Sequence, residues 1–200
     1  MGRIADFIFA RNKHVCPWWL CFTFDNVFRK ILQDPVEIIQ PYIKEGDKIL
    51  DVGPGMGYFT IPLARLTGSK GQVIAADIQE KMLLALKKRA ERAGVNERII
   101  LHLCSSDLLD VREKVDFILA FWMLHEVPDK HRFLNELFGA LKENGTFLLV
   151  EPLMHVTKTG FAETVTLALK TGFTLGKRPR IFISRAALLV KLAENERREL

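Results

Sequence analysis

The stretch Ile49-Leu50-Asp51-Val52-Gly53-Pro54-Gly55-Met56-Gly57-Tyr58-Phe59-Thr60 carries the most structural information in the chain. A short apolar run ends near Asp51, and three glycines then follow at alternate positions. Glycine lacks a Cβ, so such a loop turns tightly and lets backbone approach a ligand. A helix opening near Gly57 would aim its free N–H groups at that ligand. The dinucleotide pattern G-x-G-x-x-G needs glycine at position 58, where this chain has Tyr58. The pattern present is Asp-x-Gly-x-Gly-x-Gly.

Outward from this loop, short apolar runs alternate with helical patterns. The runs are Lys48–Val52, Gln72–Asp77, Arg98–Leu103, Val115–Phe121 and Thr146–Glu151. They read as strands buried on both faces of a parallel sheet. Glu80–Ala93 sets Met82, Leu83, Leu86 and Ala90 on one helical stripe and stops at Gly94. Lys130–Lys142 does the same with Phe133, Leu134, Leu137 and Leu141, after Pro128-Asp129. Thr159–Thr171 reads as helix, and Gly172–Ile183 and Ser184–Leu192 read as two strands with no helix between them. Strands joined that way pair antiparallel. The expected fold is therefore α/β: a Rossmann-like, seven-stranded, mostly parallel sheet with an antiparallel edge pair and helices on both faces. Residues 1–46, broken by Pro17, Pro35 and Pro41, form an N-terminal helical extension, too short for its own core and part of the domain spanning 47–200.

The length of 200 residues suits one domain, and 48% hydrophobic with 26% charged residues excludes disorder. Three cysteines without a C-x-x-C pair exclude a disulfide framework and argue against structural zinc. The five histidines show no metal spacing, so no metal is expected. No run reaches the ~20 apolar residues of a membrane span, and the expected setting is cytoplasmic. The net charge of +5 sits after residue 154, where nine Lys and Arg face four Asp and Glu. Those charges are spread out, which reads as solvated surface more than as a nucleic-acid tract.

The glycine loop resembles motif I of the class I S-adenosylmethionine-dependent methyltransferases. Gln72–Ile78 resembles the family's second strand, Ser105-Ser106-Asp107-Leu108 its adenine segment, and Asp116–Glu126 and Leu141–Pro152 its fourth and fifth motifs. The likeness spans about residues 47–192, and its closest branch is methyltransferase type 11 or ubiquinone/menaquinone methyltransferase-like. It implies S-adenosylmethionine as cofactor, with Asp51, Gly53, Pro54, Gly55 and Gly57 in its loop. It further implies that Asp77 accepts both ribose hydroxyls beside Ile78, and that Ser106, Asp107, Leu108 and Phe121 surround the rest. Position 54 is often Cys in relatives and is Pro54 here.

Several residues have two readings. Asp77 can cap the following helix as well as hold ribose, and Asp107 can be a loop residue bonded to its own backbone. Asp116, opening a strand, reads as structural, and His102 as core. His125 can act as a general base toward an acceptor or merely enter a helix. Glu126 can orient His125 or face solvent, and His155 lies at the same rim, where it can face substrate. Trp18 and Trp19, beside Pro17, either pack on the sheet edge, form a lid lining an acceptor pocket, or touch a membrane surface.

The expected activity is methyl transfer to a small, partly apolar acceptor by a monomer or homodimer. Nucleic acid is the less favoured partner, because the Asn/Asp-Pro-Pro-aromatic run of amine methylation is replaced by Ala120-Phe121-Trp122-Met123. The alternatives are an RNA or protein acceptor, arsenite with cysteine thiols, and a non-catalytic cofactor binder.

Overall fold

The computed structural model describes residues 33–105 and 108–197. Asp34 caps a short helix α1 (Pro35–Ile39) by accepting from the Val36 N–H. There follow β1 (Lys48–Val52), α2 (Thr60–Leu66), β2 (Gln72–Asp77), α3 (Glu80–Arg92), β3 (Ile99–Leu103) and β4 (Val115–Phe121). The chain continues through α4 (Lys130–Ala140), β5 (Leu141–Pro152), α5 (Lys158–Thr171), β6 (Thr174–Leu175), β7 (Ser184–Val190) and α6 (Glu194–Arg197). One sheet of seven strands results, in the order β3-β2-β1-β4-β5-β7-β6. The neighbours from β3 to β5 run parallel, and β7 is antiparallel to both β5 and β6.

The alternation along β1 shows how both faces are filled. Leu50 and Val52 join a core with Leu134 and Leu137 of α4 and Phe161 and Val165 of α5. Ile49 points the other way, into a core with Ile39 of α1, Leu63 of α2 and Phe117 of β4. Asp51 shares the face of Ile49 because side chains alternate with period two. Tyr42 stacks on Phe117 at 6.0 Å, so residues just before β1 lie against the same core. No described helix is long and apolar enough to cross a membrane.

Three expectations need correction. The strand expected over Gly172–Ile183 is only the two residues of β6. Gly172 instead ends α5 in the left-handed conformation, with φ of 115°. Pro179 has no N–H for a ladder, and it sits among Lys177, Arg178 and Arg180, whose charges favour water. β3 is an edge strand, and Ile100 and Leu103 are exposed, so it is not buried on both faces. The helix after the glycine loop starts at Thr60, three positions beyond Gly57, because residues 55–59 are spent on turns.

Candidate functional site

The carboxyl ends of β1, β2, β4 and β5 meet at one rim. The order β2-β1-β4 reverses the winding of the chain at β1, which makes β1 and β4 the switch point where open α/β sheets bind ligands. Gly53 donates its N–H to Ala76 O at 2.9 Å, which ties the loop to the end of β2. A Cβ on Gly53 would lie 2.9 Å from the Cβ of Met123, so the end of β4 also touches the loop. Gly55 has a φ of 54°, and a Cβ there would meet nothing within 4 Å. Open space therefore begins at Gly55.

Gly57 is held for a packing reason. Its φ is 89°, and a Cβ would come 2.2 Å from Leu86 Cδ1 on α3. Gly57→Ala is expected to cost about 2–4 kcal/mol, combining a left-handed penalty with overpacking. Urea denaturation measures it, and a loss under 1 kcal/mol would show that α3 yields easily.

Two carboxylates flank the loop. Asp51 is 2% exposed and accepts from Thr60 Oγ1 at 2.6 Å. Burial pushes its pKa up to about 7, against the Thr60 hydrogen bond and with a contribution from the Asp77 charge. Asp77 accepts from the Gln79 N–H at 2.8 Å. Burial raises its pKa to about 6, while the N–H groups of Gln79, Gly55 and Ile78 hold it down. The loop N–H groups and the Asp77 carboxylate thus converge. Ile78 is exposed beside them. Phe121 is buried at the end of β4, 4.3 Å from Phe59 and 5.4 Å from Trp122 between ring centres. Leu108 is exposed and bridges back to Ser105. Ser106, Asp107, Trp18 and Trp19 lie outside the described residues.

The second cluster stands where β4 and β5 end. His125 Nδ1 lies 2.6 Å from Glu151 Oε2, with the side chains 21% and 3% exposed. Burial alone would lower the His125 pKa. The hydrogen bond and charge of Glu151, with the charge of Glu126, outweigh that and the opposing charge of Lys130, so it ends above the ordinary value. A carboxylate facing Nδ1 sets the tautomer in which Nδ1–H donates and Nε2 is free to accept. His155 is exposed and stacks on His125 at 5.6 Å. The acid bonded to His125 is therefore Glu151, a residue that the sequence alone did not single out. Its signal was present: a carboxylate ending Phe147-Leu148-Leu149-Val150-Glu151 is a charge placed where burial requires a partner.

Other residues are accounted for structurally. Asp116 accepts from the Lys48 N–H and pairs with Lys142 at 2.8 Å. His102 is half-buried, with Nε2 at 2.7 Å from Leu109 O. The Cys104 thiol has its pKa pushed up to about 12 by burial and by the charges of Asp77 and Glu136, so it is a poor nucleophile.

The sheet order and the glycine loop at its switch point define a Rossmann-like methyltransferase. The chain belongs to a family of methyltransferase domains, whose profile matches residues 43–175. A ubiquinone/menaquinone biosynthesis C-methyltransferase UbiE from Pasteurella multocida is 31% identical over 110 residues, 54% of this chain and 41% of the relative. A demethylmenaquinone methyltransferase from Bacillus cereus is 30% identical over 128 residues, 64% of this chain and 54% of that protein. The chain thus spans about half the length of these curated relatives. A SAM-dependent methyltransferase from Aquifex aeolicus has the same fold, with a TM-score of 0.78 and 22% identity over 88% of this chain and all of that one. Residues 43–175 are thus a methyltransferase domain, and S-adenosylmethionine is the cofactor that such a domain on this fold implies. The residues present fit that cofactor: Asp77 offers an acceptor to two hydroxyl donors, and the space at Gly55 admits a ligand against the backbone.

Proposed function

We propose that the protein methylates a carbon of a quinol-type aromatic ring, with His125 as the base that takes a proton from a hydroxyl on that ring. The observation that carries this reading is the His125–Glu151 pair at the same rim as the glycine loop. The names of the C-methyltransferase relatives support the acceptor class. The cofactor supplies a methyl group on sulfonium sulfur, and the bonding pair returns to sulfur on transfer. The glycine loop from Gly53 to Gly57 and Asp77 hold the cofactor, with Ile78 and Phe121 as apolar neighbours and Asp51 bracing the loop through Thr60. Asp107, Ser106 and Leu108 are assigned to the adenine side. Glu151 fixes the His125 ring and stabilises its protonated form, so Nε2 can accept a proton from a hydroxyl of the acceptor. The ring carbon then takes the methyl, the hydrogen that carbon carried leaves to water as a proton, and the imidazolium returns its proton to the oxygen. His155 and Glu126 border the acceptor, and Trp18 and Trp19 are assigned to its cover.

Incubation with S-adenosylmethionine and a short-chain demethylmenaquinol tests the acceptor. The expected product is heavier by one methylene, with the new methyl on ring carbon by NMR. Methylation on oxygen, or turnover only with RNA, would replace this reading.

A further inference from the structure

We infer that the rim formed by Leu153, Met154, Phe182 and Ile183, with the cations of the loop before β7, docks the protein on an anionic lipid bilayer. The four apolar side chains are 44%, 85%, 51% and 41% exposed. They form one patch: the Leu153 N–H donates to Ile183 O at 3.0 Å, and Pro152 pairs with Ser184 in the sheet register. Exposure here is built in. Phe182 O accepts from Gln33 Nε2 at 2.7 Å, so the backbone of the loop is tied inward while its side chains stand out. Ile183 is held at a φ of 47°, a conformation that a β-branched residue rarely adopts.

Charge selects the occupant. Arg178 and Arg180 are exposed in the loop that leads to Phe182, with exposed Lys177 farther along opposite Leu188, and Lys158 is exposed at the start of α5. No carboxylate interrupts the sequence between Glu163 and Glu194, so these loop cations have no acidic neighbour along the chain. Exposed aromatic and aliphatic groups flanked by Lys and Arg match the boundary between acyl chains and anionic headgroups. The patch is also continuous with the rim of the site, because Trp122 Nε1, next to the glycine loop, donates to Ser184 Oγ at 2.9 Å. A bilayer docked there faces the side of the site that holds His125. The inference stands apart from the acceptor reading, since it concerns the surface and not the reaction.

Flotation with phosphatidylcholine vesicles, with and without 30% phosphatidylglycerol, tests it using the whole chain without acceptor or cofactor. The protein should float with the anionic vesicles and stay behind with the neutral ones. Arg178→Gln with Arg180→Gln should reduce partitioning about twentyfold. Met154→Ser with Phe182→Ser should reduce it about a hundredfold, with the circular-dichroism melt unchanged in both. Flotation that the variants do not alter, or that ignores phosphatidylglycerol, would overturn the inference. So would wild-type protein that never floats but forms a dimer that Phe182→Ser dissociates, which would make the patch a contact between copies. Vesicle binding in a protein that methylates no quinol would refute the acceptor reading alone.

Discussion

His125→Asn should lower the turnover number about 10²–10⁴-fold, the range for loss of a positioned general base, while S-adenosylmethionine affinity stays within about twofold. The asymmetry follows from position. His125 lies just past the end of β4 and pairs with β5, whereas Asp77, the proposed ribose acceptor, lies at the end of β2. A base must be neutral to accept a proton, and the partners of His125 hold its pKa above the ordinary value. Activity should therefore fall as pH drops through a point above about 6.5. Glu151→Gln removes the charge that stabilises the imidazolium, so that acid limb should move to lower pH, with turnover also reduced because Nδ1–H loses its strong acceptor. A purely structural Glu151 would change the melting temperature and leave the limb in place. Full turnover in His125→Asn would remove the base from the mechanism.

Asp77→Ala should weaken S-adenosylmethionine binding at least about tenfold, since each hydrogen bond to a charged acceptor contributes about 1.5–3 kcal/mol. Titration calorimetry measures it. The carboxylate must be ionised to accept two hydroxyl donors, and its pKa in the free protein is raised to about 6. Wild-type affinity should therefore decline as pH falls through that value, and Asp77→Asn should flatten the decline. Unchanged affinity in a folded Asp77→Ala protein would take this residue out of the cofactor site.

Most of the sheet could be read from local patterns. Each parallel strand is a short apolar run, and the glycines at 53, 55 and 57 mark the loop without reference to anything distant. Helix α3 follows from its stripe and its stop at Gly94. Helix α4 follows from its stripe only as far as Ala140, because Leu141, expected on that stripe, and Asn144-Gly145, expected as its stop, belong to β5. Asp129 caps α4 as Pro128-Asp129 suggested, by accepting from the Arg132 N–H. The misread segments were those where neighbours count for more than composition. β3 looked like an interior strand because its residues are apolar, but a strand's place in the sheet depends on what pairs beside it. Residues 176–183 looked extended, but extension gives a strand only where the N–H groups find partners, and Pro179 has none to offer.

The sequence was sufficient for the fold class, the glycine loop after β1 and the acid at the end of β2, because each rests on residues adjacent in the chain. The tertiary structure supplied the pairing of His125 with Glu151, 26 positions apart, and of Trp122 with Ser184, 62 positions apart. It also placed Met154 beside the loop that carries Phe182, through the pairing of Pro152 with Ser184. These contacts depend on β4, β5 and β7 lying side by side in register. Register is set by burying whole faces of neighbouring strands at once, so it cannot be read from any one segment.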